Sequence, residues 1–188
     1  MADKKEGKML AFVGMPGSGK STASAFLQKK GIPFVRLGDL TDETVKQMGL
    51  PLNPENEKLA REKLRAEHGM AVYALKAEPK IRSLLESHSV IALDGLYSWE
   101  EYVFLKKLFA QLTVIHIYAE PEVRYKRLAG RAVRPVSPEQ ARSRDLSELE
   151  KLNKGGPIAI ADYMIENNSD EIGHLQSQIE LLMIRLKL

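Results

Sequence analysis

A glycine-rich segment near the amino terminus has the most specific chemistry in the chain. Residues 14–21, here called the P-loop, read Gly-Met-Pro-Gly-Ser-Gly-Lys-Ser and match the pattern G-x-x-x-x-G-K-[ST] at every fixed position. The glycines allow a compact loop whose amide N–H groups point inward at phosphate oxygens. Lys20 is expected to reach the β- and γ-phosphates of a nucleotide, and the Ser21 hydroxyl to bind Mg²⁺. The predicted phosphate contacts are Gly14, Gly17, Ser18, Gly19, Lys20 and Ser21.

The residues on either side of the P-loop support a nucleotide-binding interpretation. An apolar run at 9–13 predicts a buried strand before the loop, and residues 21–30 predict a helix after it. The chain has no Asn-Lys-x-Asp run of the kind that selects the base in GTPases, and 188 residues are too few for a large motor ATPase. A chance glycine-rich turn is the alternative. The P-loop alone does not identify the reaction.

Two aspartates follow predicted strands and are candidates for catalysis. Asp94 comes directly after the apolar residues 90–93, and Asp39 follows the strand predicted at 33–37. Ligands of open α/β sheets gather at the carboxyl ends of the strands. Asp94 could hold Mg²⁺ through a water or orient a phosphate acceptor, and Asp39 could accept the acceptor's proton or bind its hydroxyl. The alternative for both is a solvated turn carboxylate next to glycine.

Arginines are concentrated in the second half of the chain. Helical spacing places Arg124, Arg127 and Arg131 on one face of a helix predicted at 122–131. Guanidinium groups suit the charge that develops on a phosphoryl group during its transfer. The following loop could carry Arg134 over the site as a lid that excludes water. The alternative is a solvated basic face paired with the glutamates that precede it.

The distribution of apolar runs predicts how these residues are positioned. Apolar strands alternate with helices, which is typical of an open parallel sheet with helices on both faces. Residues 1–8 are expected to be a flexible tail, and residues 9–188 a single domain. The predicted strands are 9–13, 33–37, 89–93, 112–118 and 163–165, and the predicted helices are 21–30, 42–48, 55–86 with a break near 68–69, 99–110, 122–131, 138–152 and 171–187.

Composition restricts the partners. There are 28 basic and 25 acidic residues, so a net charge of +3 and only 6% aromatic residues give no reason to expect nucleic acid. No window has the ~20 apolar residues that would span a membrane, and no signal peptide is expected. The absence of cysteine excludes a cysteine nucleophile and fits a cytoplasmic location. The four histidines show no metal-ligand spacing.

The motifs together resemble those of adenylate-kinase-related P-loop kinases. Residues 14–22 are similar to the phosphate loop of that family, including Thr22, and residues 127–131 stand in the place of its R-L-x-x-R segment. The resemblance implies that Arg127 packs on the adenine of ATP and that Arg131 contacts phosphate. It places Arg134 and Arg144 with the arginines in and after the lid, which would span 131–138. It also implies ATP and Mg²⁺ as cofactors.

Two further segments resemble particular branches of this superfamily. Residues 160–167 look like the A-D-x-x-I-x-N stretch of dephospho-CoA kinases, which implies that Asn167 lies beside the adenine. Residues 94–101 and 144–149 are most similar to a poorly characterised archaeal-type branch. The resemblance implies a P-loop NTPase three-layer α/β/α sandwich with a five-stranded parallel sheet in the order 2-3-1-4-5. The helical stretch 42–86 is then expected to form a cap that binds the acceptor.

Two classes of function therefore remain. The first is an ATP- and Mg²⁺-dependent kinase that phosphorylates a nucleoside monophosphate or a nucleotide-like acceptor, with dephospho-CoA as the alternative acceptor. The sequence argues against specificity for AMP. Adenylate kinases usually carry an arginine shortly after the Gly-Asp of the second strand, but here Leu40-Thr41-Asp42 follow Gly38-Asp39, and the lid is short. The second is a nucleotide-dependent regulatory ATPase module. A deep arginine-lined cleft beneath the cap would favour the kinase, and a flat surface the regulatory module. The protein is expected to be a monomer or a small homo-oligomer.

Overall fold

A computed structural model describes residues 7–133 and 135–188 of the chain. Its strands form one all-parallel sheet in the order β2-β3-β1-β4-β5, which confirms the predicted topology. β1, which leads into the P-loop, is therefore the central strand. The strands are β1 (Lys8–Val13), β2 (Phe34–Arg36), β3 (Val90–Asp94), β4 (Leu112–Tyr118) and β5 (Tyr163–Glu166).

Helices connect the strands at nearly the predicted positions. One difference is that the second helix begins at Asp39, so this aspartate lies in the first turn of a helix and not in a loop. Another is a short helix in the glycine-rich stretch after residue 152, where no helix was predicted. The helices are α1 (Lys20–Lys29), α2 (Asp39–Gln47), α3 (Pro54–His68), α4 (Val72–Ser87), α5 (Trp99–Leu108), α6 (Pro121–Ala129), α7 (Pro138–Leu152), α8 (Gly155–Ala159) and α9 (Ile172–Leu186).

The sheet separates two hydrophobic layers. Successive side chains of a strand point to opposite faces, so Met9 and Ala11 of β1 pack on one side while Leu10 and Phe12 pack on the other. The first side is covered by residues of α3, α4 and α5, and the second by residues of α1 and α9. This arrangement is the expected three-layer α/β/α sandwich. Within the described residues, no helix is both long and apolar enough to cross a membrane.

Local signals set the ends of the elements around the site. Ser137 and Gln140 form a reciprocal capping box that starts α7 directly after the predicted lid. Val136 packs on Leu128 of α6 and anchors the end of that loop. At the amino terminus, Lys8 is the first residue of β1 and its Nζ donates to the Leu186 carbonyl at 2.7 Å. Residue 8, which was expected in the tail, therefore belongs to the sheet, and residues 1–6 lie outside the described residues.

Candidate active site

The P-loop backbone has a conformation that only glycine adopts without strain. Gly14, Gly17 and Gly19 have φ values of 142°, 82° and 107°, which lie in the left-handed range. Space is equally restrictive, because a Cβ atom on Gly14 would lie 2.3 Å from the Ile117 carbonyl oxygen. A Cβ atom on Gly19 would lie 2.3 Å from the Asn167 side-chain amide nitrogen. The loop is thus packed tightly against β4 and the end of β5.

Lys20 closes the P-loop on itself. Its Nζ donates to the carbonyl oxygens of Gly14 at 2.9 Å and Met15 at 3.1 Å. Burial, and next the positive charge of Lys154, lower the pKa of Lys20 to about 7. The charges of Glu148 and Asp94 act in the opposite direction. A phosphate group would add an anion that accepts hydrogen bonds from this ammonium directly.

Asp94 and Ser21 lie together at the mouth of the P-loop, as predicted from strand order. Asp94 is the last residue of β3 and is only 3% exposed. Burial raises the pKa of Asp94, while a hydrogen bond from Ser21 and the charge of Lys20 act in the opposite direction. A hydroxyl and a carboxylate are oxygen ligands of the kind that Mg²⁺ prefers, so this pair fits the metal that the motif implies.

Asp39 is placed differently from Asp94. Its Oδ1 accepts a hydrogen bond from Arg36 Nη1 at 2.8 Å, and the same guanidinium donates to Asp42 at 3.1 Å. Asp39 is not among the residues that line the cavity at the P-loop. The structure therefore brings Arg36, which β2 presents, into the site and makes Asp39 its ion-pair partner.

Arg124 does not share an exposed face with Arg127 and Arg131, which corrects the face predicted from helical spacing. It is 4% exposed and forms a bidentate pair with Asp145, with N–O distances of 3.1 and 2.7 Å. Its Nη1 also donates to the Pro16 carbonyl of the P-loop at 3.1 Å. α6 ends at Ala129, so Arg131 lies beyond the helix. Arg124 is consequently a link between the P-loop and α7.

Arg127 and Asn167 lie on the side of the P-loop away from Asp94. Arg127 donates to the carbonyl oxygens of Asn167 at 2.8 Å and Ser169 at 2.6 Å, which fixes the loop after β5. Asn167 is buried, and its side-chain amide donates to the Ser18 carbonyl at 2.8 Å. Both residues line the cavity at the P-loop. The contacts with adenine expected of them stay predictions.

Three spaces with shared lining residues make up the site, and the first of them is lined by the P-loop. The P-loop cavity has a volume of about 360 Å³, and its lining includes Thr22 and Arg131. The arginine cleft, of about 1000 Å³, lies between α3 and the segment from Arg131 through α7. A small pocket of about 70 Å³ lies beneath α3. All three spaces share the residues Arg36, Arg144 and Glu148.

Several residues of these cavities were missed by the sequence reasoning. Lys154 and Glu148 line the P-loop cavity, although the chain brings them there from the far end of α7. The signal that could have indicated Lys154 is the preceding Asn153, a residue type that often ends helices in the left-handed conformation. Of the predicted residues, Arg131 and Arg144 line both the P-loop cavity and the arginine cleft. Arg134 lies outside the described residues.

Comparisons with known proteins identify the relatives of the chain. A family described as an AAA domain matches residues 10–153. A UPF0200 protein of Hyperthermus butylicus is 34% identical over 180 residues, covering 95% of this chain and 94% of that protein. A UPF0200 protein of Thermococcus sibiricus is 36% identical over 182 residues, covering 95% of each. The chain belongs to the UPF0200 family. These archaeal relatives confirm the resemblance to an archaeal-type branch.

Solved structures place the UPF0200 fold among small P-loop kinases. Shikimate kinase from Bacteroides thetaiotaomicron superposes with a TM-score of 0.63 at 17% identity, covering 96% of this chain and 99% of that one. A gluconokinase from Sinorhizobium meliloti superposes with a TM-score of 0.54 at 16% identity, covering 97% of each chain. At such identities the likeness shows the fold, which confirms the predicted P-loop kinase architecture.

Proposed function

We propose that this UPF0200 protein is an ATP- and Mg²⁺-dependent kinase that phosphorylates a small anionic acceptor, either a nucleoside monophosphate or a nucleotide-like molecule. The observation that supports this most is that the P-loop cavity and the arginine cleft share the lining residues Arg36, Arg144 and Glu148, so the two spaces adjoin. A donor nucleotide in the P-loop cavity and an acceptor in the arginine cleft would therefore lie next to each other and contact the same residues. A regulatory ATPase needs no such cleft. One neighbour in fold, shikimate kinase from Acinetobacter baumannii, was solved in complex with shikimate.

The P-loop fits the polyphosphate of a nucleotide. Its three glycines place no Cβ atom in the cradle, and Lys20 supplies a cation whose hydrogen-bond acceptors among the described residues are the carbonyls of Gly14 and Met15. The Ser21 hydroxyl would bind the metal directly, and Asp94 would hold it through a water, which leaves the carboxylate oxygens free to accept a proton. When bound, MgATP supplies the phosphoryl group, whose bond to the β–γ bridging oxygen breaks as its bond to the acceptor oxygen forms. Arg131 and Arg144 line both the P-loop cavity and the arginine cleft, so they lie where charge would develop on that group.

Asp94 is the carboxylate best placed to orient the acceptor hydroxyl and receive its proton. It lies at the P-loop cavity, and burial raises its pKa, which strengthens it as a base relative to an exposed aspartate. Asp39 accepts hydrogen bonds from Arg36, so we assign it the role of holding this guanidinium where the P-loop cavity and the arginine cleft adjoin. The acceptor's proton thus passes to Asp94, and the carboxylate of Asp39 stays ion-paired.

The small pocket under α3 indicates an anionic group on the acceptor. It is lined by Arg36, Arg61, Arg65 and Arg144. The side chain of Arg65 is 8% exposed, and its Nε finds no hydrogen-bond acceptor among the described residues. Burial, and next the charge of Arg144, lower the pKa of Arg61, so cations crowd one another here. The carboxylates of Asp42, Glu57 and Glu148 also line this pocket. A phosphate or carboxylate group of the acceptor would satisfy the Arg65 Nε–H that they leave without a partner, since guanidinium groups bind both anions. The cap over residues 42–86 would then bind the acceptor.

An acceptor panel tests the proposal. ADP release is measured with AMP, CMP, UMP, GMP, their deoxy forms and dephospho-CoA, and we expect at least one acceptor to raise turnover well above the basal rate. Lys20→Ala should abolish this stimulation. Lys29→Ala is the matched control, because Lys29 is an exposed lysine of the same helix. Uniformly basal turnover with every acceptor would contradict the kinase assignment.

A further inference from the structure

Lys154 reaches the P-loop cavity through a sharp turn at the end of α7. Asn153 ends the helix in the left-handed conformation, with φ 51° and ψ 33°. The chain then reverses, and the Lys154 amide donates to the Glu148 carbonyl at 3.4 Å. α8 begins at once and lies close to α5, because Gly156 has no side chain and a Cβ atom there would lie 2.7 Å from the Trp99 ring. This close approach directs Lys154 toward the sheet.

The ammonium group of Lys154 is buried inside the site. Lys154 is 1% exposed, it is ion-paired with Glu148, and its Nζ lies 5.4 Å from the centre of the Tyr97 ring. It lines the P-loop cavity together with Lys20 and Ser21. Lysine is almost never fully buried without a partner, and here the partner also faces the cavity. A role limited to joining α7 and α8 would not require this position.

Glu148 holds two cations at once. Its Oε1 accepts a hydrogen bond from Arg144 Nε at 3.1 Å, and its Oε2 is paired with Lys154. Burial alone would raise the pKa of Glu148, but the charges of Lys154 and Arg144 lower it to about 2. The carboxylate therefore stays ionised and fixes the positions of both cations. Its one negative charge does not neutralise the two positive charges.

Positive charge therefore accumulates on one side of the P-loop cavity. Lys20, Lys154 and Arg144 line this cavity with the carboxylates of Asp94 and Glu148. Lys154 is close enough to Lys20 for its charge to disfavour protonation of Lys20. Two buried ammonium groups that face one cavity repel each other unless an anion lies between them. A polyphosphate that extends past Lys20 toward α7 has the complementary charge.

We propose that Lys154 is a second lysine of the phosphate site and contacts the terminal phosphoryl group of the bound nucleotide. Glu148 is a positioning residue that acts through Lys154 and Arg144. The inference rests on the proposed function for the identity of the ligand. A charge-assisted hydrogen bond from Lys154 to the terminal phosphoryl group would distinguish a nucleoside triphosphate from a diphosphate, because only the triphosphate carries that group.

The experiment compares binding of the non-hydrolysable triphosphate AMP-PNP with binding of ADP, both with Mg²⁺, by titration calorimetry. Lys154→Met should weaken AMP-PNP binding by about 10- to 100-fold, the usual effect of losing a hydrogen bond to a charged group. ADP binding should change by less than about 3-fold. Lys107→Met is the control, because Lys107 is an exposed lysine of α5.

A double variant separates the phosphate contact from a structural role. Lys154→Met alone leaves the buried Glu148 carboxylate with one cation fewer and should lower the melting temperature. Adding Glu148→Gln removes this carboxylate but leaves Arg144 without its partner, so no recovery of stability is expected and binding is compared at a temperature where both variants are folded. The preference for AMP-PNP over ADP should stay lost in the double variant. A double variant with the parental preference, or equal losses for both nucleotides in Lys154→Met, would overturn the inference.

The outcome also separates this inference from the proposed function. Suppose that the parent protein transfers phosphate to an acceptor of the panel and that the double variant keeps the parental kcat and preference for AMP-PNP. This result supports the kinase and overturns the role of Lys154. If the parent protein has no transfer activity but prefers the triphosphate in a way that depends on Lys154, the kinase assignment is overturned and the phosphate contact is supported.

Discussion

Replacement of Asp145 by alanine tests the buried link between the P-loop and α7. The Arg124 and Asp145 side chains are 5% and 10% exposed, and they meet through two short hydrogen bonds. Removing one partner of such a pair leaves an uncompensated buried charge, which costs about 3–5 kcal/mol. In a chain of this length 1 kcal/mol shifts the melting temperature by roughly 2–4 °C, so a loss of about 3 kcal/mol lowers it by roughly 6–12 °C.

The measurement is urea unfolding together with nucleotide binding. Arg124 also donates to the Pro16 carbonyl, so Asp145→Ala should weaken ATP binding in addition to stability, because the guanidinium is no longer held against the P-loop. The matched control is Asp170→Ala, which serves for stability alone because Asp170 also lines the P-loop cavity. Asp170 pairs with Lys126 of the same helix at 3.3 Å, but both side chains are more than 70% exposed, and such surface pairs contribute about 0–1 kcal/mol.

Two results would refute this reasoning. If Asp145→Ala loses no more stability than Asp170→Ala, the buried pair does not carry the free energy assigned to it. If stability falls while ATP binding is unchanged at a temperature where the variant is folded, Arg124 does not position the P-loop. The double replacement Arg124→Met with Asp145→Leu should recover part of the lost stability, since it removes both charges.

Three further predictions concern the lid, the P-loop and a buried carboxyl group. Arg131→Ala should keep ATP binding within a few-fold while kcat falls by ~10²-fold or more, and Arg131→Lys should not restore kcat fully. The measurements are equilibrium ATP binding and single-turnover rates, and a parental rate in Arg131→Ala would contradict the lid assignment. Gly19→Ala should lose nucleotide affinity at least ~10-fold, because its Cβ would lie 2.3 Å from the Asn167 amide nitrogen; unchanged affinity in a binding titration contradicts this geometry. Burial raises the pKa of Glu101 from 4.5 to about 7, so between these values the folded protein holds a proton that the unfolded chain has lost, and stability falls as pH rises. The free energy of unfolding of Glu101→Gln, measured with urea, should therefore rise by up to about 3 kcal/mol relative to that of the parent between pH 5 and pH 8. A difference between the two proteins that does not change with pH would contradict the raised pKa.

Features that depend on short stretches of sequence were predictable. The P-loop was evident because its glycine spacing, its lysine and its flanking strand and helix are all local. Asp94 follows a predicted strand, and ligands of an open α/β sheet gather at the carboxyl ends of the strands, so its place at the P-loop cavity could be expected. The helix predicted at 138–152 has the same bounds as α7.

Features that depend on distant partners were not predictable. Helical spacing placed Arg124 with the exposed arginines, but tertiary packing pairs it with Asp145, a residue 21 positions away. The sequence predicts no helix directly after residue 152, because Gly155 and Gly156 disfavour helices. Gly156 in fact allows α8 to pack on Trp99, a contact that only the fold reveals.

The central claim is that a phosphoryl group passes from ATP to a small anionic molecule bound in the arginine cleft. The most direct measurement is single-turnover transfer from γ-labelled ATP to the acceptor that gives the largest stimulation of ADP release, with the product identified by mass spectrometry. We predict a labelled, phosphorylated acceptor with the parent and with Lys29→Ala, and none with Lys20→Ala. Label that appears only as inorganic phosphate, at the same rate with and without every acceptor, would contradict the claim.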